Sequence, residues 1–180
     1  VWVSNGYFRR EADEQVVPLL DAINIDLKGI SDEFSRRVVG AEVRPVLDSI
    51  ARVHAAGVWV EVTTLVIPGL NDSDDALRQA AEAVAAVSPA IPWHVSRFFP
   101  AYRLLDVPPT PIATLERAAR LGREAGLRYV YVGNVPGGGE DTRCPGCGAR
   151  LISRLGYAVR ENRLRGGRCP DCGATVDGVW

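Results

Sequence analysis

From Val1 to Val132, short runs rich in β-branched residues alternate with longer stretches of helical character. Strand-like segments are Val1–Ser4, Ile23–Leu27, Val58–Ile67, Trp93–Phe99 and Tyr129–Val132. Between them lie Glu11–Leu20, a segment capped by Ser31 and closed by Gly40, and a helix with Pro45 at its start and Gly57 at its end. Ala76–Val87 follows, and then a helix capped by Thr110 that runs from Pro111 to Ala125. Val46, Leu47, Ile50 and Val53 fall on one helical stripe, as a core-facing helix requires. Such alternation calls for parallel strands joined by right-handed crossovers. The expected fold is α/β, either a doubly wound sheet or a partial parallel β/α barrel. With 47% hydrophobic residues, 180 residues suffice for one good core and a small appended module.

The second strand ends in Asp26-Leu27-Lys28-Gly29, and Lys28 is the only lysine in the chain. Every other Lys or Arg position is arginine, so Lys28 is not expected to be generic surface charge. Residues two apart on a strand share a face, which puts Asp26 and Lys28 together at the carboxyl end of a parallel strand. Ligands bind at such ends. The plain alternative is a local ion pair that closes the strand. Other polar residues fall at the same edge: Ser4 and Asn5, Thr63 and Thr64, Arg97, and Asn134. His54 and His94 lack a second histidine at ligand spacing and are expected to be structural.

After Gly137-Gly138-Gly139 the chain changes character. The expected division is 1–136 for the α/β part, 137–142 for a hinge and 143–180 for a second module. Arg143–Trp180 carries seven arginines against three acids, although the whole chain has a net charge of -1. That balance gives no case for nucleic acid or membrane at the level of the chain. No apolar run approaches the roughly 20 residues that span a bilayer.

All four cysteines lie in this module, in Cys144-Pro-Gly-Cys147-Gly and Cys169-Pro-Asp-Cys172-Gly. A tight turn at this spacing aims both thiolates of a pair at one ion. Four thiolates with no open position make a closed, structural site. With no signal-like start, the pairs point to a metal in a reducing compartment, hence the cytoplasm, rather than to disulfides. Zinc or rubredoxin-type iron would suit. Leu151–Val159 and Arg163–Arg168 are expected to form a hairpin, held together by the ion because so short a module has little core.

Ser4-Asn5-Gly6-Tyr7, Asp26-Leu27-Lys28-Gly29 and Val66-Ile67-Pro68-Gly69-Leu70-Asn71-Asp72 resemble, in that order, radical S-adenosylmethionine (SAM) enzymes of the pyruvate formate-lyase-activating type. Tyr131–Gly137, the double knuckle and the closing Gly178-Val179-Trp180 are similar to the radical SAM member of the AmmeMemoRadiSam system. The resemblance implies a partial β/α barrel with a zinc-ribbon or rubredoxin-like module. It implies SAM held by Ser4, Asn5, Asp26 and Lys28. Activating enzymes place an arginine where this chain has Thr63. The resemblance also implies a [4Fe–4S] cluster, but its Cys-x-x-x-Cys-x-x-Cys loop is not in this chain, nor is the Gly-Gly-Glu stretch of the family. The chain, opening within a strand and without methionine, is expected to be the C-terminal part of a longer enzyme and inactive alone. That enzyme would cleave SAM to a 5′-deoxyadenosyl radical for hydrogen abstraction, with an external electron donor and an unread substrate, a protein being one candidate. The alternative is a non-catalytic ribbon that docks a protein or nucleic acid through its arginines. Its stacking aromatics are only Tyr157 and Trp180, which disfavours single strands.

Overall fold

A computed structural model describes every residue except Pro136, Gly138 and Tyr157, and the side chain of Asp13. Gly138 of the expected hinge and Tyr157 of the ribbon therefore lie outside the described residues. Five parallel strands form the main sheet: β1 (Trp2–Ser4), β2 (Ala22–Asp26), β3 (Trp59–Val66), β4 (Trp93–Arg97) and β5 (Val130–Gly133). They lie side by side in sequence order. The crossovers are α1 (Arg10–Val16), the short α2 (Asp32–Phe34) with a π turn (Ser35–Val39), α3 (Arg44–Ala55), α4 (Asp74–Val87) and α5 (Ile112–Glu124).

The strands alternate cleanly. Ile23, Ile25, Val60, Val62, Val66, Trp93 and Val95 point to one face and are buried against Ile50, Val53, Leu77, Val84, Leu115 and Leu121 of the helices. All the helices that pack on the sheet therefore cover a single face. A doubly wound sheet would carry them on both. The other face is polar and half-exposed. The cross-strand register there aligns Asp26, Thr63, His94 and Tyr131 in one row.

Local signals account for most boundaries. Ser31 Oγ accepts the Phe34 N–H at 3.0 Å, and Gly40 closes the π turn with φ +76°. Ser73 Oγ caps α4 through Ala76 N–H. Thr110, expected as a helix cap, does otherwise. Its hydroxyl donates to Val66 O at 2.6 Å and accepts Phe98 N–H at 2.9 Å, so it staples β3 to the end of β4.

The second module is a three-stranded antiparallel sheet, β6 (Thr142–Arg143), β7 (Arg150–Leu155) and β8 (Ala158–Asn162). The hairpin thus pairs 150–155 with 158–162 rather than with Arg163–Arg168. Gly156, at φ +55°, makes the turn earlier than expected, and β8 is exposed along its length, so no buried alternation marks it. The module's small core of Leu151, Ile152, Val176, Cys144 and Cys169 also takes in Tyr129, the residue just before β5.

Candidate functional site

Asp26 and Lys28 do share an edge. Lys28 Nζ lies 2.8 Å from Asp26 Oδ2, with both side chains partly exposed. Together with Asn5 and Tyr7 they border a cleft of about 240 Å³ at the carboxyl end of β2, walled by Val39, Val43 and Val46. Ser4 is not in this cleft. It pairs in register with Ile25, whose side chain belongs to the core, and its hydroxyl accepts the Gly6 N–H at 3.1 Å. Asn5 shapes the same turn, its Oδ1 accepting Tyr7 N–H at 3.0 Å. Gly29 is dictated by packing: a Cβ there would fall 2.5 Å from the Phe34 ring.

Asn71 positions Lys28 and was not anticipated. It is buried, donates through Nδ2 to Lys28 O (2.8 Å) and Leu65 O (2.9 Å), and accepts Ile67 N–H (2.6 Å). One side chain thus ties the end of β2 to the end of β3. The Asn-Asp dipeptide looked like a helix start, and nothing local in sequence reveals a partner 43 residues away.

The other strand-end residues divide. Thr63 lies on the polar face and donates to Asn24 Oδ1 at 2.9 Å. Thr64 is buried on the helical side, donating to Leu27 O and accepting from Trp93 Nε1, so it belongs to the core. Arg97 Nε donates to Thr110 O, and its guanidinium covers the Phe99 ring at 4.9 Å. Asn134, at φ +60°, donates to Arg97 O.

The polar face holds a carboxylate–imidazole pair around His94, which the sequence reading expected to be structural. Glu61 Oε2 lies 2.8 Å from His94 Nε2, and Glu61 Oε1 accepts Trp59 Nε1–H at 3.1 Å. Burial pushes the Glu61 carboxyl up, but the His94 contact and the Trp59 bond outweigh it and leave it below its ordinary value. An ionised carboxylate only accepts, so the proton between them belongs to His94 Nε2. His94 stacks on Tyr131 with ring centroids 5.1 Å apart. Burial raises the Tyr131 phenol, which stays protonated beside Thr142 Oγ1 at 2.9 Å. The available signal was an acid at an outward-facing position between valines in a strand rich in β-branched residues.

The four cysteines converge. Their sulfurs all lie within 4.8 Å of one another, with Cys144–Cys172 at 3.5 Å and Cys147–Cys169 at 3.8 Å. One tetrahedral ion at ~2.3 Å from each sulfur needs edges of about 3.8 Å, so the set fits a single zinc or iron. It does not fit a [4Fe–4S] cluster, whose four thiolates sit on four separate irons and stand farther apart. The two knuckles share the same backbone bonds. Cys144 N–H and Cys169 N–H donate to Ala149 O and Ala174 O, and Gly148 N–H and Gly173 N–H return to the carbonyls of Cys144 and Cys169. The arginine before each knuckle grips its glycine carbonyl, Arg143 to Gly148 and Arg168 to Gly173. Arg163 pairs with Asp171 at 2.6 Å. Several module arginines therefore hold the module itself. Among the described residues no helix is long and apolar enough to cross a membrane.

The uncharacterized protein MJ0808 of Methanocaldococcus jannaschii is 45% identical over 181 residues, covering 98% of this chain and 54% of that protein. The chain thus spans about half the length of this curated relative. Among solved structures, a domain of pyruvate-formate lyase-activating enzyme from Bacteroides vulgatus is similar with a TM-score of 0.65 at 18% identity, covering 74% of this chain and 80% of that one. A radical SAM methyltransferase from Sphaerobacter thermophilus gives a TM-score of 0.52 at 17% identity, covering 73% and 39%. At those identities the likeness is one of fold. The Asp26–Lys28 cleft and strands β1 to β3 all lie within residues 1–81, the stretch that matches the Radical SAM superfamily.

Proposed function

We propose that this chain is one part of a radical SAM enzyme of the AmmeMemoRadiSam type, its sheet a segment of a partial β/α barrel and its C-terminal module a zinc-ribbon-like staple. The observation that carries the reading is the placement of Asn5, Asp26 and Lys28 in one cleft at the carboxyl end of parallel strands, inside the stretch that matches the superfamily. When bound, SAM supplies a radical on one-electron reduction, which removes hydrogen from a substrate. The residues here do simpler work. The Lys28 ammonium suits a carboxylate, and Asp26 accepts ribose hydroxyls or an ammonium. Val39, Val43 and Val46 offer an apolar wall. Ser4 acts one step back, through the turn that presents Asn5. Asn71 fixes the backbone of Lys28. The cleft is small, so it grips part of the cofactor rather than engulfing it.

No cysteine remains outside the knuckles, so this reading draws the cluster ligands, the reductant and the substrate from beyond these 180 residues. Calorimetry of the metal-loaded chain tests it. SAM binding should weaken roughly tenfold in Lys28→Ala and in Asp26→Asn, about 1.4 kcal/mol each. Unchanged affinity in both variants would discard the cleft. Formation of 5′-deoxyadenosine by this chain with reductant alone would discard the division of labour.

A further inference from the structure

A second cleft carries charges of both signs. Where β4 and β5 approach the four-cysteine module, a space of about 310 Å³ is lined by Glu61, His94, Tyr131, Glu140 and Arg154. Arg154 comes from β7 of the module. Its guanidinium sits 5.9 Å over the Tyr131 ring. Nη1 donates to Glu140 O and to Thr142 Oγ1, both at 2.8 Å. Those bonds fix the planar fork, and no carboxylate forms an ion pair with it among the described residues. Arg154 thus bonds the backbone of Glu140 and not its carboxylate, which is itself unpaired among the described residues.

Arg154 and Glu140 are half-buried ions of opposite sign, neither in an ion pair among the described residues, and they share the cavity with the Glu61 carboxylate, which also feels the Arg154 charge. Such a cavity is a template for a ligand that carries both complements. Arg forks recognise carboxylates bidentately. The stacked rings of His94 and Tyr131 line the same cavity, with the Arg154 guanidinium over Tyr131. Glu61 holds His94 through Nε2, which leaves Nδ1 to face other groups. Gly133 and Gly156 border the mouth without side chains to fill it. This cleft is not the Asp26 rim: the two share no lining residue, and in the row Asp26, Thr63, His94, Tyr131 its nearest member, His94, stands two strands from Asp26, about 10 Å at ~4.8 Å per strand.

We propose that this cleft binds a small amino-acid-like zwitterion. The open edge of Arg154 takes the carboxylate, Glu140 takes the ammonium, and the His94–Tyr131 stack supports the body between them. The four-cysteine module is then a working half of a binding site, because it delivers Arg154. None of this rests on the SAM reading.

The test is a titration of the metal-loaded chain with L-alanine, propionate and ethylamine, read by NMR at the His94 ring and the Arg154 guanidinium. L-alanine should shift both saturably in the millimolar range, and each half-molecule should bind at least roughly tenfold more weakly. Glu140→Gln should weaken L-alanine by about tenfold and leave propionate unchanged. Arg154→Lys, which keeps the charge and loses the fork, should weaken both. Chelating the metal of the four-cysteine site should abolish the shifts at both groups. Asp26→Asn and Lys28→Ala should leave L-alanine affinity untouched, so failure of the cofactor reading is seen separately. Three results overturn the proposal: no saturable shift with any probe, propionate binding as well as L-alanine, or displacement of L-alanine by SAM.

Discussion

Asn71 commits its side-chain hydrogen bonds wholly to the protein interior. Three bonds end on it, at 2.6–2.9 Å, one with the backbone of Lys28 and two with the backbone at the end of β3. At ~1 kcal/mol net per bond, with further cost for stranded backbone groups, Asn71→Ala should destabilise the fold by about 2–4 kcal/mol. Denaturant melts would show it. Glu61 predicts a pH effect. Its carboxyl titrates below its ordinary value near 4.5 in the folded state. The unfolded chain therefore binds that proton first as pH falls, and the stability Glu61 contributes is full above about pH 4.5 and lost through the folded pKa below it. Glu61→Gln should flatten that part of the acid limb in melts recorded between about pH 5 and 3. An unchanged slope would mean that the His94 contact does not form in solution.

Among the elements, α5 shows how close the packing is. Gly122 faces the sheet, where an added Cβ would lie 2.8 Å from Cε3 of Trp93 and 3.0 Å from Val130. Trp93 is fully buried and anchored to Thr64, so it has no room to yield. Helix propensity favours alanine over glycine by ~1 kcal/mol, but overpacking a rigid site costs about 1–3 kcal/mol. Gly122→Ala should therefore lower the melting temperature rather than raise it. Sequence reading performed well where signals are local: the strand alternation, the Ser31 cap, Gly40 and the repeated knuckles. It failed where the partner is tertiary. Thr64 reads as a polar residue of the sheet edge, Thr110 and Asn71 as residues of helix starts, and each bonds backbone 37 to 44 residues away in sequence. For His94, expected to be structural, sequence likewise does not reveal the partner, an acid on the neighbouring strand. The hairpin turn was misplaced because the exposed β8 has no buried face to register it.

At the scale of the molecule, Tyr129 joins the two sheets. It is buried in the module core, donates to Asp177 Oδ2 at 3.0 Å and accepts Asp177 N–H at 2.9 Å, while Arg128 pairs with the same carboxylate. Asp177→Ala would strip a buried hydroxyl of one partner, a loss of about 1–3 kcal/mol. Amide exchange should quicken in β6 to β8 and hold steady in β2 to β4. Equal quickening in both would mean that the sheets unfold as one unit.

The helices dress only one side of the main sheet, and this has an evolutionary reading. Stability is vested in the covered side, in Ile25, Val62 and Trp93, while Asn24, Thr63, His94 and Ser96 on the bare side owe the core little. Those four positions form a palette that drift could repaint without toppling the scaffold. A mutant library confined to them should stay folded in most of its members while its ligand preferences scatter.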